Sequence, residues 1–423
     1  MNIFMLFFFA VAVIITFYLK FPQFKALKIV SKSKNKKSRQ TFYLSLATNI
    51  GVGNLVGVSA AIFIGGPGVI FWMAVFAFFA SALSYFENYY AIKSQVKIED
   101  VCFSGTPYTI SKYYNGKFKK QVSLIFALFL VLTNTVFFPP IQINAIVLLF
   151  NSDWKLIFSI ILIISISLII LKGIKAILKI TDSLLPIFAI LYFVFLIIGI
   201  LYKISELNDV LYNILKNAFN LRTIGTSAFW SMMNVAISKS LFSHEAGLGT
   251  IPSLTGVSDK EEIETTCNYQ LIGVFIDTVI LCTMTGIFIL LYSENSYDKV
   301  DMLKHSFTNF IGKNGLIMYS LFIIFFGFTS VLGQYYLGEN NIMFLSFQSK
   351  YKNSFWKLVY QILFIIGMII GIFGTFKSAL WLVDMGILIL GTINLIVLIK
   401  IERCQKLLKN KHKITWRKCS KVI

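Results

Sequence analysis

Apolar residues run in long blocks along nearly the whole chain, and polar residues gather in the short gaps between them. About 20 helical residues cross a ~30 Å hydrocarbon core, so each block of that length predicts a membrane-spanning helix. Eleven blocks meet this measure: 2–19, 41–64, 69–91, 122–150, 154–171, 184–202, 221–244, 268–292, 316–344, 355–373 and 379–400. The first lacks a basic leader and a small-residue cleavage site, so it reads as a retained span and not as a signal peptide. Pro139 and Pro140 interrupt the fourth block, and Pro186 is expected in the first turn of the sixth, where proline is tolerated.

Two blocks break the apolar pattern. Thr48-Asn49-Ile50-Gly51-Val52-Gly53-Asn54-Leu55-Val56-Gly57 places three glycines, two asparagines and a threonine inside a span. Glycine costs roughly 1 kcal/mol of helix propensity against alanine, and a buried amide must find partners. Lipid-facing backbone cannot unwind, but backbone lining a cavity can. Two readings follow: close helix packing through small residues, or a broken helix whose freed N–H and C=O groups hold a ligand. The other unusual block, 221–244, carries Gly225-Thr226-Ser227, Asn234 and Ser238-Lys239-Ser240, and runs into His244-Glu245-Ala246-Gly247-Leu248-Gly249. Thr329-Ser330 form a third mid-membrane polar pair. Their hydroxyls either bond back to the preceding helical turn or join freed carbonyls around a small hard cation.

With the entry block set aside, ten spans remain, five on either side of an outer loop at 203–217. The first and sixth start on opposite sides, and each is glycine-interrupted, which fits an inverted repeat. The expected division is an N-terminal span and basic loop (1–40), a first five-helix repeat (41–203), a second (204–401) and a basic tail (402–423).

Charge orients this arrangement. Of the 39 Lys and Arg residues, 30 fall in loops on one side and 8 on the other, while Lys239 lies within a span. That asymmetry is the positive-inside rule. It places the N-terminus outside and the C-terminal tail in the cytoplasm, and it explains the net charge of +20 without nucleic acid. All five cysteines fall in spans or on the cytoplasmic side, so no disulfide is expected, and their spacing matches no metal site.

Glu87, Lys239, Glu245, Asp277 and Asp384 lie in or at the ends of spans. Each costs a few kcal/mol at membrane depth unless paired, so each is a candidate gating or structural charge. Lys239 either pairs with an acid across an inner gate, forms a static bridge or snorkels to the headgroups. An intramembrane enzyme would need acid–base or nucleophile pairs converging at one leaflet, and the acids here are scattered. A channel would need a filter or a ring of charges.

Gly51-Val52-Gly53-Asn54-Leu55-x-Gly57-Val58, followed by Gly65-Gly66-Pro67-Gly68-Val69-Ile70-Phe71-Trp72-Met73, resembles the opening signature of the alanine or glycine:cation symporters. This family lies within the amino acid-polyamine-organocation superfamily. Leu241-Phe242-Ser243-His244-Glu245-Ala246-Gly247-Leu248-Gly249 resembles its second signature, and Gly273-Val274-Phe275-Ile276-Asp277-Thr278 the helix that follows. The chain departs from the family at Val52 (usually threonine), Lys239 (arginine), Ser240 (glycine), His244 (asparagine) and Gln334 (often tryptophan), and has Arg222-Thr223 where paired glycines are expected.

The resemblance implies an all-α polytopic membrane protein with a LeuT-like 5+5 inverted repeat. Its first and sixth core helices would be discontinuous, and one extra N-terminal span would make 11 transmembrane helices. It implies no enzyme and no organic cofactor, but a sodium-coupled importer of alanine or glycine in a bacterial cytoplasmic membrane. A relative that moves another small amino acid such as serine, or that uses protons, is the alternative. By the same likeness, Gly51, Val52, Gly53, Asn54, Gln142, Gly225, Thr226 and Ser227 would contact substrate. The Ala47 and Ile50 carbonyls with the Thr329 and Ser330 hydroxyls would hold sodium.

Overall fold

The computed structural model describes residues 2–98, 101–114, 116–220, 226–293, 301–349 and 353–419. The hydrophobic blocks became helices. In chain order they are α1 (Asn2–Tyr18), α2 (Gln23–Lys32), α3 (Lys36–Asn49), α4 (Val58–Gly65), α5 (Val69–Lys93), α6 (Thr106–Tyr113), α7 (Lys119–Leu132), α8 (Pro139–Val147) and α9 (Ser152–Leu171). They continue with α10 (Ile174–Tyr202), α11 (Ile204–Ala218), α12 (Ser227–His244), α13 (Ile263–Val274), α14 (Thr283–Tyr292), α15 (Met302–Ile311), α16 (Lys313–Phe347), α17 (Asn353–Phe373) and α18 (Phe376–Cys419). A small antiparallel pair, β1 (Val96–Ile98) and β2 (Val101–Phe103), follows α5.

Eight helices among the described residues are long and apolar enough to cross a membrane, or ten if each of two bent pairs is one span. The chain is therefore a multi-pass, all-helical membrane protein. The α12 segment falls outside that set because Asn234, Lys239, His244 and several serines dilute its apolar content.

One bent pair is the first unusual block. Lys36–Asn49 and Gly53–Gly65 meet at 54°, with Ile50 leaving helical geometry at φ −72°, ψ 90°. The restart is a wide π-helical turn, Gly53–Gly57. Two further spans widen in the same way without breaking, at Thr133–Phe137 between α7 and α8 and at Phe275–Cys282 between α13 and α14. The Pro139-Pro140 interruption is thus absorbed: both prolines open α8, where a missing N–H costs little.

Two expectations need correction, and a third lies outside the described residues. Pro186 sits well inside α10, because that helix begins ten residues earlier than the apolar block. The supposed outer loop is helix α11, with Trp72 Nε1 donating to the Ala218 carbonyl at 3.1 Å. Helix α12 covers Ser227–His244 of the sixth core span, and the expected interruption, including Gly225 and Arg222-Thr223, lies outside the described residues.

The core gathers around α5, which packs on α1, α12 and α13, while α16 packs on α3, α7, α8 and α17. A short 3₁₀ segment, Ile251–Val257, is buried at the end of the molecule where α3 begins. It and the Ser258 that follows it are tied to four surrounding elements. Gln95 Nε2 donates to Thr255 O (2.6 Å) and Ser258 O (2.9 Å), and the Ser104 hydroxyl donates to Pro252 O (2.9 Å). The Thr41 and Ser258 hydroxyls lie 2.8 Å apart, and Asn341 Nδ2 donates to Ser253 Oγ at 3.0 Å.

Candidate functional site

The break between α3 and the restart faces α8 and α16. Because Ile50 leaves the helix, the Ala47 and Ile50 carbonyls lose regular partners, and α16 supplies one. Ser330 Oγ lies 3.1 Å from Ala47 O and 3.3 Å from Ile50 O. All three residues are buried. Two carbonyl oxygens and a rotatable hydroxyl facing one another form an all-oxygen corner suited to a small hard cation.

Thr329, beside Ser330, takes the other reading: its hydroxyl bonds back to Phe325 O (3.1 Å) and Phe326 O (3.2 Å) of its own helix. Glycine at 51 is dictated by this approach, since a Cβ there would lie 2.5 Å from Ser330 Oγ and 3.0 Å from Gln142 Oε1.

Backbone donors of the break are met by side chains. Val52 N donates to Gln142 Oε1 at 2.9 Å, and Gly51 N to Asn54 Oδ1 at 3.2 Å. Gln142 comes from α8, which the proline pair starts at the right height. Gly53 faces the Phe242 ring of α12, 3.2 Å from the place of a Cβ, and Phe138 stands edge-on to the same ring at 6.0 Å. The break is therefore walled by two aromatic rings on one side and by Gln142 and Ser330 on the other.

Asn54 carries the break into a second polar group. Its Nδ2 donates to Asp277 Oδ1 (2.7 Å) and to Asp277 O (3.1 Å). Asp277 Oδ2 accepts from Ser243 Oγ (2.5 Å) and Thr278 Oγ1 (2.8 Å). Every member of this network is buried, and each donor satisfies an acceptor that would otherwise be costly at membrane depth.

Three of the remaining intramembrane charges, Lys239, Asp384 and Glu87, are also partnered, whereas Glu245 Oε2 is buried with no hydrogen-bond partner among the described residues. Lys239 Nζ lies 3.0 Å from Asp384 Oδ1 of α18, and Ser238 Oγ donates to the same oxygen at 2.7 Å. Glu87 on α5 accepts from Gly247 N (3.0 Å), Gly249 N (3.2 Å) and Asn394 Nδ2 (3.1 Å). That carboxylate clamps the left-handed turn after α12, where Glu245 (φ 52°), Gly247 (φ 84°) and Gly249 (φ 76°) redirect the chain. His244 caps the turn, its Nδ1 accepting from Ala246 N at 2.9 Å.

Ala47, Ile50, Gly51, Val52, Gly53, Asn54, Gln142 and Ser330 are thus brought together around one break. Thr226 and Ser227 are exposed at the start of α12, away from this buried group. The sequence reading missed Ser243, Thr278 and Asn394 as partners. Asn394 left one available signal, a lone amide in a span whose only other strongly polar mid-block residue is Asp384.

A membrane span broken midway, with its freed backbone groups met by buried polar side chains, is the kind of site on which transporters are built. The sequence profile of the sodium:alanine symporter family matches residues 1–418, and the chain belongs to that family, a family of transporters and not of enzymes. The chain is 32% identical to the probable sodium/glutamine symporter GlnT of Bacillus subtilis over 352 residues, 79% of this chain and 73% of that protein. It is 30% identical to the sodium/alanine symporter AgcS of Methanococcus maripaludis over 329 residues, covering 72% and 70% of the two chains. The amino-acid carrier protein AlsT of Bacillus subtilis is 29% identical over 370 residues, 86% and 78% of the two.

Proposed function

We propose that the chain is a sodium-coupled symporter that imports a small neutral amino acid, alanine or glycine, by alternating access across a bacterial cytoplasmic membrane. The observation that carries the reading is the placement of Ser330 Oγ against Ala47 O and Ile50 O. The carbonyl end of α3 is the negative end of its dipole and favours a cation, while amides at the restart favour a carboxylate. Sodium would enter the oxygen corner with Thr329 turning toward it. The substrate carboxylate would take the amides of Gly51, Val52 and Gly53 in exchange for the Gln142 and Asn54 side chains. Gly225, Thr226 and Ser227 would meet the substrate from the sixth core helix as the cleft closes.

In this reading 41–203 and 204–401 are the two inverted halves of a LeuT-like fold, with α1 as the additional, eleventh span. The N-terminus is outside and the C-terminal tail cytoplasmic, an orientation supported by the distribution of lysine and arginine. Each ligand stabilises the occluded site for the other, so their affinities rise together.

The test is uptake of radiolabelled alanine, glycine, serine and glutamine into proteoliposomes with and without an inward sodium gradient. Alanine or glycine accumulation that needs sodium is the expected result. Accumulation driven equally by a proton gradient in sodium-free buffer, or preference for glutamine, would replace the coupling or the substrate named here.

A further inference from the structure

The second bent pair lies far from the break. After α1 the chain turns by 63° into α2, through Lys20 (φ 58°) and Phe21 (φ 55°), both left-handed without being glycine. Helix α2 has three distinct faces. Ala26 is fully buried against Leu271 and Ile272 of α13, with Val30 beside it, and Gln23 Nε2 ties the same side to Phe78 O at 2.9 Å. The second face is apolar yet open: Phe24 is 77% and Leu27 70% exposed. On the third, Lys25, Lys28 and Lys32 are exposed and fall within one 60° sector at 100° per residue. No acidic residue occurs between positions 20 and 39, which hold eight Lys and Arg.

An apolar strip beside a basic strip, on a short helix turned sharply from a spanning one, is the layout of an interfacial helix. Its apolar strip fits the acyl boundary and its lysines fit anionic phosphates. We propose that α2 is a docking site for anionic phospholipid, with Lys25, Lys28 and Lys32 binding the headgroup phosphates and Phe24 and Leu27 seated among the chain ends nearest them. Through Ala26 the bound lipid braces α13, the helix that leads to Asp277. The proposal rests on the multi-pass membrane fold and not on the identity of the transported substrate.

The test uses the full chain in phosphatidylcholine nanodiscs and micelles titrated with phosphatidylglycerol. Retained lipids are counted by native mass spectrometry, and thermal stability is followed. K25Q/K28Q/K32Q is expected to weaken phosphatidylglycerol retention roughly fivefold per lysine removed and to abolish its stabilising effect. F24S/L27S should lower retention of both lipids. K172Q/K175Q/K179Q, on another basic segment, should leave retention unchanged. Equal losses in the two lysine triples would assign the effect to general surface charge and overturn the proposal, as would wild-type protein that does not discriminate the two lipids. All three lysines are exposed, so the variant folds, and its melting temperature in pure phosphatidylcholine checks this.

Discussion

Ser330 on α16 donates its hydroxyl toward the Ala47 carbonyl of α3 at 3.1 Å, joining two helices 283 residues apart in sequence at the point where one of them stops being a helix. S330A removes the side-chain hydroxyl that two buried carbonyls, those of Ala47 and Ile50, share from another helix. Leaving such groups unsatisfied costs about 1–3 kcal/mol. Melting temperature should fall accordingly, and sodium should no longer raise it, whereas S330T should keep part of the sodium response.

Gly51 is a test of shape rather than chemistry. A methyl group in G51A would meet Ser330 Oγ and Gln142 Oε1. Uptake should drop at least tenfold while the protein remains folded by size-exclusion profile. Adding S330G to G51A should relieve the crowding in melting temperature without restoring sodium response.

Lys239 is 5% exposed and Asp384 23%. D384N leaves a nearly buried ammonium without its anion, with an expected loss of about 3 kcal/mol, the low end for a broken buried pair because Asp384 is partly wet. The double variant K239M/D384L should recover most of that stability. If the pair is a gate rather than a brace, the double variant will be stable yet transport slowly, so paired melting and uptake measurements separate the roles.

Glu87 accepts from two backbone amides and from Asn394. In E87Q one carboxylate oxygen becomes an NH₂ group facing a donor, and about 1–3 kcal/mol should be lost. Hydrogen exchange should rise at residues 245–250 while α5 itself stays protected.

The sequence revealed spans well because a bilayer-length apolar block has few alternatives, and it pointed to the first break because glycines and asparagines weaken a helix there, although packing through small residues read equally well. It placed Pro186 wrongly because α10 extends past its apolar core through Ile174–Ser183, where lysines mark an interface and not an end. It read 203–217 as a loop because polar residues there alternate at helical spacing, which hydropathy alone does not resolve. Partners such as Asn54 with Asp277, 223 residues apart, depend on tertiary packing. Two isolated polar residues in different spans carry no mark of which will meet. Thr329 and Ser330 are adjacent yet differ in role, since a 100° rotation along the helix turns one hydroxyl to its own backbone and the other to α3.

The 3₁₀ segment Ile251–Val257 and the Ser258 that follows it are pinned by side chains from α3, from the turn after α5, from the residue following β2 and from α16. Those elements share one short stretch, the seven-residue segment and the Ser258 that follows it, as a common attachment. If the proposed transporter opens at that end, this shared attachment predicts one concerted unlatching and not the gradual loosening of a single hinge.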